Sequence, residues 1–355
     1  MKHLLSLVFS VLLPVLAAFG QPSPSPRKSG NATTLAGAAP FPVGAALSPR
    51  YLHKNRAYTD VAIREFNAVT AENIMKPRGL SRGRGQYHWA AADSLVAFCR
   101  KHNKQLHGHA LVWHESVPGW VESFSGDSAA WEGILREHIR DVATHFRGKV
   151  RSWDVVNEAL SDTAGRMRNS PWRRHLGDDY VARCFRYARE ADPDARLFYN
   201  DYSLESDPAK LAAALRMIDD FKRRGIPLDG VGLQMHISIH TPEAGIRKVM
   251  REMAGRGLLV HLSELDVRIN TTKDSLLAET PALLAQQAEK VRQVVRAFVE
   301  EVPPAQRFAI TTWGVADPNS WVMNWRKQED YPLLFDGNYR PKPAHAAFIE
   351  AVRGK

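Results

Sequence analysis

The chain has 355 residues, 44% hydrophobic and 24% charged, with a formal net charge of +10. That composition excludes a chain too polar to bury a core and suits one large domain or two small ones. The basic residues are scattered and no aromatic and basic stripe accompanies them, so a nucleic-acid partner is not indicated. A basic soluble surface, or attraction to an acidic polysaccharide, accounts for the charge.

Residues 1–20 carry Lys2 and His3, then an apolar run from Leu4 to Phe19 broken by Pro14, and close on Ala18-Phe19-Gly20. A short apolar run ending in small residues reads as a signal peptide rather than a membrane anchor. It predicts a secreted or periplasmic product with no membrane attachment in the mature form. Residues 21–39 are rich in Pro, Ser, Gly and Ala, lack periodicity, and read as a flexible leader. From Phe41 onward, strand-like apolar runs alternate with helical patterns. The strands are expected at Val43–Ala46, Ala68–Ile74, Gln105–Trp113, Ser152–Asn157, Arg196–Asn200, Gly230–His236, Leu259–Glu264 and Phe308–Trp313. The helices are expected near 55–65, 90–102, 129–146, 178–190, 208–224, 242–255, 279–301 and 342–352. Ser128 reads as the cap of the third helix, and Pro208 stands near the start of the fifth.

Eight strands and eight helices in strict alternation predict an α/β fold, a single (β/α)8 TIM barrel over residues 40–355. An open doubly wound sheet is the alternative, but no G-x-G-x-x-G follows a strand to support dinucleotide binding. Cys99 and Cys184 each lie in an apolar helical pattern and read as buried free thiols. No second composition shift marks an appended module, and a monomer is expected.

In a parallel barrel, functional groups sit at the C-terminal strand ends. There the sequence gathers polar side chains. The fourth strand, Trp153-Asp154-Val155-Val156, leads into Asn157-Glu158. The seventh, Leu259-Val260-His261-Leu262-Ser263, leads into Glu264 and then Asp266. The other ends carry Glu72, Asn73 and Lys76; His109, Trp113 and His114; Asn200, Asp201 and Tyr202; Gln234 and His236; and Trp313 with Trp321. Amides, imidazoles and carboxylates suit sugar hydroxyls, and indoles suit the apolar faces of sugar rings. Two glutamates on different strands facing one cleft are the equipment of a glycosidase. Singly, each has a plainer reading: His109 as a satisfied core histidine, Lys76 as a solvated lysine, Trp313 as core.

The motifs, taken together and in order, resemble glycoside hydrolase family 10, the retaining endo-1,4-β-xylanases. The matching stretches are Ala71-Glu72-Asn73-Ile74-Met75-Lys76, Gly108-His109-Ala110-Leu111-Val112-Trp113-His114, Trp153-Asp154-Val155-Val156-Asn157-Glu158, Tyr199-Asn200-Asp201-Tyr202, Gln234-Met235-His236, Ser263-Glu264-Leu265-Asp266, Trp313-Gly314-Val315 with Ser320-Trp321, and Pro332-Leu333-Leu334-Phe335-Asp336 with Lys342-Pro343. The resemblance spans residue 41 to the end. It implies Glu158 as general acid/base and Glu264 as nucleophile, with His236 and Asp266 supporting Glu264. It also implies that Asn157 meets the 2-hydroxyl of the sugar being cleaved. Glu72, Asn73 and Lys76 would grip the next sugar on the non-reducing side. His109, Trp113, Tyr202, Gln234, His236, Trp313 and Trp321 would complete the sugar contacts. The implied partners are xylan and xylo-oligosaccharides, with no cofactor and no metal. Four positions, in three places, depart from the family pattern. Glu115-Ser116 stands where Ser-Gln is usual, Met235 where a small residue is common, and Ser263 where Thr is usual.

The chemistry sets further expectations. A glycosidic oxygen must be protonated as it leaves, so Glu158 must rest protonated, whereas Glu264 must be ionised. Burial or a neighbouring negative charge would raise the first pKa. Two other classes compete: a metal-dependent barrel hydrolase built on His107-Gly108-His109, and a non-catalytic carbohydrate-binding barrel, which intact Glu158 and Glu264 oppose.

Overall fold

The computed structural model describes residues 33–354 apart from 164, 273, 275, 276 and 325. The expected signal peptide and the leader up to residue 32 lie outside the described residues. Eight strands form the wall: β1 (Val43–Leu47), β2 (Ala68–Ala71), β3 (Gln105–Trp113), β4 (Ser152–Asn157), β5 (Arg196–Asp201), β6 (Gly230–Leu233), β7 (Leu259–Arg268) and β8 (Arg307–Thr312). Each pairs in parallel with the next, and β8 pairs with both β7 and β1, closing the barrel. The helices outside it are α1 (Arg56–Glu65), α2 (Ala90–Lys101), α3 (Ser128–Phe146), α4 (Tyr180–Ala191), α5 (Pro208–Arg223), α6 (Glu243–Gly255), α7 (Pro281–Glu301) and α8 (Pro343–Val352). This is the (β/α)8 barrel expected from the alternation.

The helices follow their apolar spacing. In α4, Val181, Cys184, Phe185 and Ala188 recur on one face and are all buried, and Cys99 of α2 is buried as well; both thiols are free. Helix α5 opens at Pro208, and the Asp207 side chain accepts from the N–H groups of Ala209 and Lys210. The cap of α3 is Asp127 rather than Ser128: its carboxylate accepts from Ala130 N–H at 2.9 Å.

Several boundaries differ from expectation, the largest differences for backbone reasons. Strand β2 stops at Ala71, and Asn73 to Lys76 form a turn closed by Lys76 N–H donating to Asn73 O at 3.2 Å. Strand β6 stops at Leu233 because Met235 takes a left-handed conformation, φ 58°. The chain then resumes as a short strand, His236–Ser238, and β7 runs on past Glu264 to Arg268 to pair with it, Asp266 opposite His236. At the N-terminal side of β1, regular structure is present before Phe41. Leu35–Ala38 is a helical turn, Leu35 is fully buried, and its N–H donates to Glu65 Oε2 of α1 at 3.2 Å. Leu35–Ala38 is therefore helical where the sequence predicted leader up to residue 39.

Inside the wall, β5 and β6 fit because β6 lacks side chains where β5 needs room. Phe198 lies opposite Gly230 and Asn200 opposite Gly232. A Cβ on Gly232 would stand 2.1 Å from Asn200 Oδ1, and one on Gly230 2.4 Å from the Phe198 ring. Below the strand ends, the rings of His107, Phe198, His261 and Phe308 fill the barrel; the His107–His261 centroids are 4.9 Å apart and the Phe198–Phe308 centroids 4.6 Å.

Candidate active site

Strand register brings the polar ends to one rim. Asn157 is opposite Trp113 on one side and Asn200 on the other. Glu158 N–H donates to Asn200 O at 2.8 Å, Glu264 N–H to Gln234 O at 3.0 Å, and Trp313 N–H to Leu265 O at 3.1 Å. Glu158 and Glu264 both end up buried, 8% and 4% exposed.

A single hydrogen-bond network spans the two carboxyl groups. Glu158 Oε1 accepts from Gln234 Nε2 at 2.9 Å and from Asn157 Nδ2 at 3.2 Å, while Oε2 accepts from Trp113 Nε1 at 2.9 Å. Asn200 is the hub. Its Nδ2 donates to Glu264 Oε1 at 2.7 Å and to Asn157 Oδ1 at 2.8 Å, and its Oδ1 accepts from Ser263 Oγ at 2.6 Å. On the far side of Glu264, Oε2 lies 3.2 Å from His236 Nε2, whose Nδ1 is 2.7 Å from Asp266 Oδ2. Trp321 Nε1 donates to that same Asp266 oxygen at 2.7 Å.

This wiring separates the two carboxyl groups electrostatically. Burial first, then the charges of Asp201 and Glu264, push the Glu158 pKa up to about 7, against the opposing hydrogen bonds from Gln234 and Trp113. Burial would also raise Glu264, but the His236 hydrogen bond and the nearby imidazoles and Lys76 ammonium outweigh it and hold this carboxyl below the usual glutamate range. Burial would lower His236, yet Asp266 and Glu264 overcome it and raise the imidazole to about 10. At neutral pH one carboxyl thus keeps much of its proton and the other is an anion beside an imidazolium.

Glu72, Asn73 and Lys76 also come together. Asn73 Nδ2 donates to Glu72 Oε1 at 3.1 Å, and Lys76 Nζ donates to Asn73 Oδ1 at 2.9 Å. The ammonium stands 4.6 Å from the Trp113 ring centroid and 5.6 Å from that of Trp313, so these indoles share its field. His109 faces Trp313 edge-on, centroids 5.2 Å apart. Its Nδ1 lies 2.8 Å from Asp154 Oδ2, and His107 Nε2 lies 3.0 Å from the same oxygen. The two imidazoles of His107-Gly108-His109 thus converge on a carboxylate. Among the described residues, no group of three or more His, Cys, Asp or Glu side chains is placed to hold a metal ion.

Tyr202 is more occupied than the sequence suggests. Its hydroxyl donates to Asp162 Oδ2 at 2.7 Å and accepts from Arg168 Nη2 at 3.0 Å, and Lys210 Nζ stands 3.4 Å above its ring. Lys210 and Asp201 are fully buried and 2.9 Å apart. Removing one partner strands a charge in the interior. Lys210→Met is expected to destabilise the protein by about 3–5 kcal/mol, read as a lowered urea midpoint; an unchanged midpoint would contradict this.

Sequence reasoning passed over three participants. Asn200 stood in a recognised motif without a role, and its hub position depends on residues 43 and 64 positions away. Arg168 lies in an irregular loop and Lys210 on helix α5, and the sequence reading assigned neither a role. A basic residue within the first turn of α5, after the acidic end of β5, was the one available signal for Lys210.

The glycosyl hydrolase family 10 model matches residues 32–351. The chain belongs to that family. It is 37% identical to endo-1,4-beta-xylanase A of Cellvibrio japonicus over 350 residues, 90% of this chain and 57% of that protein. It is 38% identical to endo-1,4-beta-xylanase B of Thermotoga neapolitana over 299 residues, 84% of each. It therefore spans little more than half the length of the Cellvibrio relative. Among solved structures, a mutant of xylanase10C from Cellvibrio japonicus in complex with xylopentaose superposes with a TM-score of 0.87 at 35% identity, covering 91% of this chain and 69% of that one. The family 10 barrel thus has solved counterparts.

Proposed function

We propose that the chain is an endo-1,4-β-xylanase that cleaves internal xylosidic bonds with net retention. Glu158 acts as general acid and then general base, and Glu264 is the nucleophile. The observation that carries this reading is the opposite poise of two buried carboxyl groups joined through Asn200 and Asn157. In the first step Glu158 gives its proton to the leaving oxygen while Glu264 bonds to the anomeric carbon. In the second, the ionised Glu158 takes a proton from water, which displaces Glu264. Asp266 and the imidazole of His236 keep Glu264 ionised and aimed. Asn157, Glu72, Asn73, Lys76, His109, Trp113, Gln234, Trp313 and Trp321 contact the sugars, and Tyr202 offers its remaining ring face. The relatives' names and the xylopentaose complex support xylan and xylo-oligosaccharides as the substrates.

The test is hydrolysis of xylan against soluble cellulose, with the anomer of the first product followed by NMR. The indoles of Trp313 and Trp321 would crowd the hydroxymethyl group of glucose. A pocket rejects such a small group by about 1–3 kcal/mol, or roughly 10–200-fold. Equal rates on the two polymers, or an inverted first product, would overturn the reading.

The pH dependence follows with a definite sign. Glu158 must carry its proton to donate it, so kcat/KM on xylan should fall as pH rises through about 7. Glu264 must be ionised, and its depressed pKa places the acidic limb below the ordinary glutamate range. A profile still flat above pH 8 would contradict the assignment of Glu158; that bound lies about one unit above the apparent pKa.

We also infer export, supported by the apolar run and small residues of 1–20. N-terminal sequencing of the mature protein should begin near Gln21, whereas a mature product starting at Met1 would refute it.

A further inference from the structure

We propose that Arg168 is a positioning residue that holds the backbone of Glu158, and with it the acid/base carboxyl, in the aim that proton transfer requires. This rests on the reading of Glu158 as the acid/base. Glu158 is a non-glycine residue with φ 56°, a left-handed conformation that an L side chain adopts only when its surroundings impose it. Its N–H is fixed by Asn200 O. Its carbonyl is fixed by Arg168 Nε, which donates to it at 3.0 Å. Arg168 does not stop there. Its Nη2 donates to Leu160 O at 2.8 Å, and its own backbone N–H donates to Ala159 O at 2.7 Å. One residue therefore satisfies three consecutive carbonyls, those of Glu158, Ala159 and Leu160. The same Nη2 reaches the Tyr202 hydroxyl at 3.0 Å, and Asp162 Oδ1 lies 3.6 Å away.

The guanidinium suits this task because it is planar and offers Nε and Nη2 in a fixed fork, so binding one carbonyl also sets the direction of the other contact. A lysine ammonium at the same place could reach one acceptor but could not fix the angle between two. Without the fork, the Glu158 carbonyl loses its donor and the peptide is free to leave the left-handed region. A rotation there swings the carboxyl away from Trp113 and Gln234. Catalysis that uses the Glu158 proton would suffer, and catalysis that does not would be spared.

The test compares Arg168→Gln and Arg168→Lys with Glu158→Ala on two xylobiosides, one with a dinitrophenol leaving group and one with phenol. The readout is kcat/KM, which reports formation of the glycosyl-enzyme. A dinitrophenolate leaves without protonation, whereas phenolate needs the acid. Arg168→Gln should lose on the order of 10–100-fold with phenyl xylobioside, a fraction of the full general-acid contribution, and less than about 3-fold with the dinitrophenyl substrate. Arg168→Lys should fall between Arg168→Gln and wild type on the phenyl substrate. Equal losses on both substrates, or none on either, would overturn the positioning role, since a merely structural role lowers both alike. If Glu158→Ala itself shows no dependence on the leaving group, the acid/base reading fails, and this proposal with it.

Discussion

Glu264→Ala should lose activity on every substrate, whatever its leaving group, by on the order of 10^5-fold, because the proposed mechanism then lacks the group that forms the covalent intermediate. In the structure Glu264 is held between Asn200 Nδ2 at 2.7 Å and His236 Nε2 at 3.2 Å, so truncation leaves a polar slot lined by donors. A small anion such as azide fits that slot and can attack the anomeric carbon from the same face, giving a glycosyl azide of inverted configuration. A burst of aryl leaving group from this variant, which would signal a surviving covalent step, would show that another residue is the nucleophile.

The Glu158→Ala variant should differ in kind. Loss of a general acid costs roughly 10^2–10^4-fold, and here it should fall on xylan, whose leaving group is a poor sugar alkoxide. Dinitrophenyl xylobioside should still transfer its sugar to Glu264. Release of the sugar should then be slow, because the same residue activates water. Azide should accelerate turnover and yield a product of retained configuration. The two variants thus predict opposite anomers from one added nucleophile. An inverted azide from the Glu158 variant would exchange or abolish the assigned roles.

How much of this was readable beforehand depends on how local each signal was. Glu158 and Glu264 each follow an apolar run that ends at the rim, and strand ends in a parallel barrel have one address. His236 and Asp266 sit two residues from Gln234 and Glu264, so the motif carried them along. The hub at Asn200 was different. Its partners come from β4 and β7, and only closure of the wall shows that one amide bonds Glu264 directly and is joined to Glu158 through Asn157. Arg168 was hidden for a similar reason: its value lies in which carbonyls it meets, and an irregular loop carries no periodicity to announce that. The ends of β6 and β7 were misjudged because the left-handed Met235 interrupts one strand and lets the other extend, a backbone event that hydrophobic pattern does not encode.

The bare inner face of β6 has a consequence for how this sequence can change over time. Gly232 and Asn200 are cross-strand partners, and a methyl group at 232 would fall 2.1 Å from the Asn200 amide oxygen. Elsewhere in a core, a gain of bulk on one strand can be absorbed by a smaller neighbour. Here the neighbour has no such freedom, because Asn200 donates to Glu264 and to Asn157 and accepts from Ser263. Any replacement at 232 must be answered by a change at 200, and any change at 200 reaches Glu264. The pair is therefore an evolutionary dead end for single steps: substitutions that fit there structurally pass first through a variant that is folded but chemically impaired. Directed evolution for stability would do well to leave this strand alone and to draw its substitutions from the outward helices, where change does not reach the carboxyl groups.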